Sequence, residues 1–391
     1  MPSNLIWRYQ PRQRLEPGYR PRRELYAYQA DRLRDFEFDK LTRPENLERV
    51  FNHLKSTGGQ APGSDGVRFD AIGNVDFKPF IQGLSQSLSD GSYRPKQLRS
   101  VSLAKPNGGE RLLSIQTIDD RTVAKAMQLC LDGYWRQRLP FHATSVNALF
   151  KRLAKCIREY NHTALVIDDI RNCYPSVRCT DVLAVQFEHI ENRQLRDLLR
   201  KVILGHEGLL NETAGVGQGS PYSPVAVEAF LYHRLDQIME RRFGRKVYRY
   251  VDNIIVPVSK LECTNLVKSQ ISSELSKYQL ELKGEDKCID LRDPNHGVSL
   301  LGLIPTWKND TFEFNVSEST FSSLNEKLSE AVLRGLPSNT VRHVISSWIH
   351  TYKIGFKIKA LKRDAVDRIR SIASSKGINL DFHWIKGEFD G

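Results

Sequence analysis

The sequence is poor in the features that mark metal-stapled, secreted or membrane proteins. Its six cysteines (Cys130, Cys156, Cys173, Cys179, Cys263 and Cys288) include no CxxC pair, and its ten histidines form no HxxxH or HExxH pattern. That spacing argues against a structural zinc site, and scattered single cysteines fit a reducing compartment better than a disulfide framework. No stretch approaches the roughly 18 consecutive apolar residues of a membrane span. The arginine-rich opening, Met1–Arg23, lacks the apolar run of a secretion signal. A cytoplasmic location with no membrane partner is therefore expected. Internal repeats and low-complexity tracts are also lacking.

What remains is the composition of a soluble globular chain. Hydrophobic residues make up 40% and charged residues 27% of 391 positions, which suits two or three structural units. Lys plus Arg is 58 against 46 for Asp plus Glu, a formal charge of +12. Such an excess points to a polyanionic partner, most simply nucleic acid.

Residues 1–25 mix Pro, Gly and Arg without periodicity and read as a basic extended arm. A helical pattern follows from about 26 to 56. There Thr42 and Glu45 have capping-box spacing, Pro44 suits a first helical turn, and Leu47, Val50, Phe51 and Leu54 recur on one face. A glycine-rich break (56–67) precedes a helix near 76–88. Two β-rich runs around Pro106-Asn107-Gly108-Gly109 predict a hairpin, and helix resumes over about 119–136. Ala164–Ile170 reads as a buried strand, Pro224–Arg242 as one amphipathic helix, and Val247–Val258 as a hairpin with Asp252-Asn253 at its tip. A helix near 261–279 and a strand-like GVSLLGLIPTW come before a mainly helical, Lys- and Arg-rich end. The fold class is α+β, an antiparallel sheet with helices packed on it.

Two acidic sites each interrupt aliphatic strands: Asp168-Asp169 after Ala164–Ile167, and Asp252 between Tyr250-Val251 and Ile254-Ile255. A carboxylate at the end of a buried strand is costly unless it is hydrogen-bonded, paired or bound to metal. Two such strands side by side would gather the carboxylates that a two-magnesium phosphoryl-transfer site requires. Strand-end acids in turns are also common, so this feature alone leaves both readings open.

The flanking residues resemble a known family. Asp169-Ile170-Arg171-Asn172-Cys173-Tyr174-Pro175-Ser176 resembles the first catalytic motif of reverse transcriptases. Gln218-Gly219-Ser220-Pro221-Tyr222-Ser223-Pro224 resembles their template- and substrate-contacting loop, and Tyr250-Val251-Asp252-Asn253 their Tyr-x-Asp-Asp hairpin. Upstream, Gly63-Ser64-Asp65-Gly66-Val67 and Lys105–Arg111 resemble fingers motifs of the group II intron type. Downstream, Lys287 and Leu301-Gly302 match later palm motifs. The resemblance covers roughly residues 40–310 and implies a right-hand polymerase. Its expected parts are fingers with the start of the palm over 26–160, a palm over 161–310 and a helical thumb over 311–391.

The resemblance also implies roles. Asp169 and Asp252 would bind two Mg²⁺ ions, with Mn²⁺ as a substitute, and Asn253 and Lys287 would complete the catalytic set. Asp169 is favoured over Asp168 because the motif register runs from it. Strand alternation sends Asp168 to the opposite face, where a surface or salt-bridged acid is expected. Tyr174 would block a ribose 2′-hydroxyl, Lys105 and Arg111 would close on the triphosphate, and Gln218 and Gly219 would meet nucleotide and template. Lys353, Lys357, Lys359, Lys362 and Arg363, with Arg368 and Arg370 beyond them, would follow a nucleic-acid backbone. Trp348, Tyr352 and Phe356, at i, i+4 and i+8, fit a core better than a base-stacking platform.

Two departures stand out. The hairpin carries Asn253 where a second aspartate is usual, so one ligand is neutral. Glu228 stands where intron-type relatives usually carry Asn. Asn147-Ala148-Leu149-Phe150-Lys151 lacks the histidine of the retron segment, and no nuclease or maturase extension follows the thumb. A stand-alone, defence-associated (abortive-infection or "unknown group") bacterial member is thus expected, copying RNA into DNA from dNTPs. Its expected template is a dedicated non-coding RNA, and a protein partner or a homo-oligomer would be compatible. The alternatives are a catalytically weak RNA-binding or assembly subunit, and a template-independent or protein-primed polymerase.

Overall fold

A computed structural model describes residues 38–57, 59–104, 110–139, 146–210, 215–284, 287–356 and 359–390. The basic arm, Lys105 with the turn 106–109, and Lys357 lie outside the described residues. For Arg111, Lys287 and Lys359 the backbone alone is described.

Along the chain the elements are α1 (Phe38–Thr42), α2 (Pro44–Thr57), α3 (Asn74–Ser89), β1 (Arg99–Ala104), β2 (Glu110–Ile115), α4 (Ile118–Arg138), α5 (Val146–Glu159) and β3 (Ala164–Asp169). Next come α6 (Cys173–Ser176), α7 (Cys179–His189), α8 (Arg193–Leu210), α9 (Ser223–Leu231), α10 (Gln237–Phe243), β4 (Tyr248–Tyr250), β5 (Asn253–Val258) and α11 (Thr264–Ser276). The remainder is β6 (Lys287–Asp290), β7 (Leu303–Lys308), β8 (Thr311–Val316), α12 (Glu318–Leu333), α13 (Ser338–Tyr352), α14 (Lys359–Ser374) and α15 (Phe382–Asp390).

The chain divides into two units. One comprises the described parts of 1–142, 170–238 and 273–281; the other those of 143–169, 239–272 and 282–391.

In the first unit, Leu47, Val50, Phe51 and Leu54 of α2 are buried as their spacing predicted. The helix starts later than the Thr42–Glu45 spacing suggested. Pro44 disfavours helical backbone at Arg43, so α1 ends at Thr42 and the Arg43 carbonyl accepts the first bonds, from the N–H groups of Asn46 and Leu47 (both 3.1 Å). The β1–β2 hairpin forms as expected, antiparallel from Arg99↔Ile115 to Ala104↔Glu110. The single helix expected over 224–242 is instead α9 and α10 joined by a π-helical turn, Tyr232–Asp236.

The second unit holds a four-stranded antiparallel sheet in the order β4-β5-β3-β6. β3 is central, and its residues Ala164–Ile167 are all buried, which suits a strand covered on both faces. A second hairpin, β7–β8, leads into a helical core. There Phe321, Leu324 and Leu328 of α12 meet Ile345, Trp348 and Ile349 of α13 and Val366 and Ile369 of α14. Trp348 and Phe356 are buried in this cluster and Tyr352 packs against it, so the i, i+4, i+8 stripe is core.

Trp348→Ala should destabilise this helical core by about 3–5 kcal/mol, the usual cost of deleting a buried aromatic side chain. Urea unfolding followed by circular dichroism would measure it; a loss under about 1 kcal/mol would contradict the packing.

Candidate active site

The register of the central sheet sets the acidic site. β3 pairs with β5 so that Asp169 stands directly opposite Asn253. Tyr250 and Asn253 close the neighbouring hairpin, leaving Val251 and Asp252 as its two-residue loop. The sheet therefore brings Asp169, Asp252 and Asn253 together from residues more than eighty positions apart. Asp169 is about one-third exposed, and the Asn253 side-chain nitrogen lies 3.5 Å from Asp252 Oδ1, at the outer limit of a hydrogen bond. Lys287 opens β6 opposite Ile167, two residues before Asp169.

The loop is strained. Val251 has φ +59°, a region costly for a β-branched residue and normally filled by glycine at this hairpin position. Such an outlier stores on the order of 1–3 kcal/mol and persists only where its surroundings hold it. Arg249, buried beneath the hairpin, donates from Nη1 to the Val251 carbonyl at 2.8 Å. No motif signalled Arg249; the only sequence hint is a charged residue inside a short run of aromatic and aliphatic ones.

Asp168 corrects the expectation of a surface or salt-bridged acid. It is 4% exposed, and its Oδ1 accepts the N–H groups of Asp169 (2.8 Å) and Gly284 (3.2 Å). Lys283 donates its N–H to the Asp169 carbonyl (2.7 Å), and its Nζ lies 4.0 Å from Asp169 Oδ2. The sequence pattern singled out neither role.

The first unit gathers the candidate substrate-contacting residues. Tyr174 is half-buried in α6, a single turn entered through Asn172 at φ +45°. Its neighbour Pro175 backs Gly215 so closely that a Cβ there would lie 2.0 Å from the Pro175 carbonyl oxygen. The Val216 N–H bonds the Val177 carbonyl (3.0 Å), and the Gln218 carbonyl accepts the Ser114 N–H of β2 (2.8 Å). The loop carrying Gln218 and Gly219 is thus seated between α6 and the strand that carries Arg111. Gly219 has φ +137°, and a Cβ would meet the Ser114 carbonyl oxygen at 2.4 Å.

Among the C-terminal basic residues, Arg363 and Arg370 are exposed on α14, while Lys353 and Lys362 are half-buried. Arg368 is committed elsewhere: both its terminal nitrogens donate to the Glu318 carboxylate, and its guanidinium stacks 3.7 Å from the Phe321 ring centre.

Among the described residues no group of three or more His, Cys, Asp or Glu side chains is placed to hold a metal ion. The donor set at the hairpin is two carboxylates and one amide oxygen. Hard oxygen donors of this kind would suit a divalent cation such as Mg²⁺.

Residues 103–304, just over half of the chain, match the family described as reverse transcriptase (RNA-dependent DNA polymerase). The chain belongs to that family. It is 24% identical over 256 residues to the group II intron-encoded protein LtrA of Lactococcus lactis, covering 63% of this chain and 41% of that one. Identity to protein YkfC of Escherichia coli is 28% over 236 residues, 55% of this chain and 61% of the relative. To a COX1/OXI3 intron 2 protein of Saccharomyces cerevisiae it is 24% over 204 residues, 50% and 23% respectively. The chain thus spans between about a quarter and three fifths of these relatives' lengths. Among the described residues no helix is long and apolar enough to cross a membrane.

Gly219→Ala combines an unfavourable φ with a clash against backbone, so the loop must move. The expected result is a Tm lower by several degrees in a thermal unfolding curve. A wild-type Tm would show that the loop tolerates a side chain.

Proposed function

We propose that this chain is an RNA-directed DNA polymerase whose chemistry is built on Asp169 and Asp252. The observation that carries the reading is the β3–β5 register, which sets Asp169 against Asn253 and next to the Asp252 turn. Asp169 and Asp252 would hold two Mg²⁺ ions, with Asn253 offering a neutral oxygen. Bound there, the ions would supply Lewis-acid stabilisation of charge on the attacking and leaving oxygens of a phosphoryl transfer.

The chain's own residues do the rest. The half-buried Tyr174 ring presents bulk to the sugar and selects against a 2′-hydroxyl. Gln218 offers its amide, and Gly219 lets backbone approach nucleotide and template closely. Lys105 and Arg111 neutralise the triphosphate, and Lys287 contributes a further ammonium. The exposed Arg363 and the neighbouring Lys353, Lys357, Lys359 and Lys362 form a backbone-tracking footprint. The formal charge of +12 supports a polyanionic template. In the finer reading that template is a dedicated non-coding RNA and the setting is antiphage defence. Asn253 and Glu228, both departures from the intron type, support a specialised member.

Asn253 also favours a second reading, an RNA-binding or assembly subunit with weak catalysis, because the site has two firm carboxylates instead of three.

Asp169→Ala and Asp252→Ala should each abolish incorporation of labelled dNTPs on an RNA template while leaving the melting curve near that of the wild type. Full activity in either protein would remove that acid from the metal site.

Tyr174→Ala should admit ribonucleotides. Unchanged dNTP-over-rNTP selectivity in an active variant would dismiss the steric gate.

Asn253→Asp separates the two readings. In a working site it adds a third carboxylate, so the Mg²⁺ concentration for half-maximal activity should fall, while like-charge repulsion beside Asp252 lowers the Tm of the metal-free protein. If the wild type and the variant are both inactive with Mg²⁺ and Mn²⁺ and its native RNA, the subunit reading is the correct one.

A further inference from the structure

Asp168 and Lys283 have no part in the roles set out above, yet the backbone is arranged around both. Asp168 is a nearly buried carboxylate whose interactions are with backbone amides. A carboxylate in that setting must be hydrogen-bonded or it destabilises the fold. Here Oδ1 turns the end of β3 and fastens Gly284, a residue at φ +76°, where side chains are strained. The residue before it, Lys283, is fastened independently through its N–H to the Asp169 carbonyl (2.7 Å). Its backbone is therefore pinned on both sides, while its four-carbon stem carries rotatable bonds of its own. That stem delivers an ammonium to within 4.0 Å of Asp169 Oδ2, with the lysine side chain about half exposed.

We propose that Lys283 is a resident counter-ion of the acidic site, seated by Asp168, and that it gives way when a divalent cation binds Asp169. The proposal rests on the reading of Asp169 and Asp252 as metal ligands. Its physical basis is charge. Without a cation, Asp169 and Asp252 are two carboxylates brought into one neighbourhood by the sheet, and a nearby ammonium relieves their repulsion. With a cation bound at Asp169, the same ammonium is a like charge close by and weakens the ion's hold. Metal binding is then coupled to displacement of Lys283, and the flexible lysine stem allows that displacement without breaking the backbone clamp. Asp168 acts through Lys283 and is a positioning residue. The chemistry required of the ligand is that of any hard divalent cation.

The test is direct titration of the full-length protein with Mn²⁺ in place of Mg²⁺, read by electron paramagnetic resonance of the free ion, without substrate or turnover. Removing the competing ammonium in Lys283→Ala should tighten Mn²⁺ binding by about two- to fivefold, the scale of a partly exposed ion pair. Lys283→Arg, which keeps the charge, should stay near the wild-type affinity. In an Asp168→Ala background the gain from Lys283→Ala should largely vanish, because the lysine is no longer seated. In Asp168→Asn, which keeps an oxygen acceptor in place, the gain should persist. Should Asp168→Ala fail to fold, Asp168→Leu, which fills the buried space without offering an acceptor, serves instead.

An unchanged or weaker Mn²⁺ affinity in Lys283→Ala would overturn the counter-ion. So would a gain that appears on Lys287→Ala and not on Lys283→Ala. A Lys283 effect of equal size with and without the Asp168 clamp would overturn the positioning role. Binding that depends on Asp252 but ignores Lys283 defeats this proposal alone. Absence of Mn²⁺ binding in the wild type, or binding that survives loss of both Asp169 and Asp252, defeats the metal-site reading and the proposal with it.

Discussion

The antiparallel pairing of β3 with β5 is the constraint on which the acidic site depends. Four consecutive buried aliphatic residues, Ala164–Ile167, fix β3 in the middle of its sheet. A slip of one residue would turn every side chain to the other face and carry the buried Asp168 carboxylate away from the Gly284 amide that satisfies it, so the polar end of the strand specifies the register. Asp169 is consequently delivered to a defined place opposite Asn253. The places of the carboxylates are set by the pairing of the strands that carry them.

Around that constraint the fold accepts local costs. Val251 occupies a backbone region suited to glycine, and the Arg249 guanidinium holds its carbonyl. Asp168 is buried among aliphatic residues and compensated by two amide donors. Strain and buried polarity both fall at the end of the sheet where the acids stand, as expected where geometry is held against local preference. The first unit shows the same economy of space: Gly215 and Gly219 lie where backbone passes against backbone, with no room for a Cβ.

Much of the fold was legible as periodicity. The buried face of α2, the β1–β2 hairpin, the aliphatic strand β3 and the aromatic stripe Trp348–Phe356 all followed from spacing and turn chemistry. The misreadings have physical causes. α2 opens one residue later than the Thr42–Glu45 spacing suggested because Pro44 constrains Arg43, and the helix expected through 224–242 contains a π-helical turn that a 3.6-residue pattern does not reveal. Arg368 read with the backbone-following basic residues because the sequence does not show that Glu318, fifty positions away, lies beside it.

The sequence by itself determined which residue types are available for chemistry, their order along the chain and the family they resemble. Local interactions over a few residues encode those properties: strand alternation, helical spacing and the backbone limits of glycine and proline. Only the tertiary structure decided which groups meet. It set Asp169 against Asn253, placed the Lys283 ammonium near Asp169 and turned Asp168 inward onto backbone amides. These are long-range consequences of sheet register and packing, and no short-range pattern specifies them. The same acidic dipeptide therefore yields one partly exposed carboxylate opposite Asn253 and one buried against backbone amides.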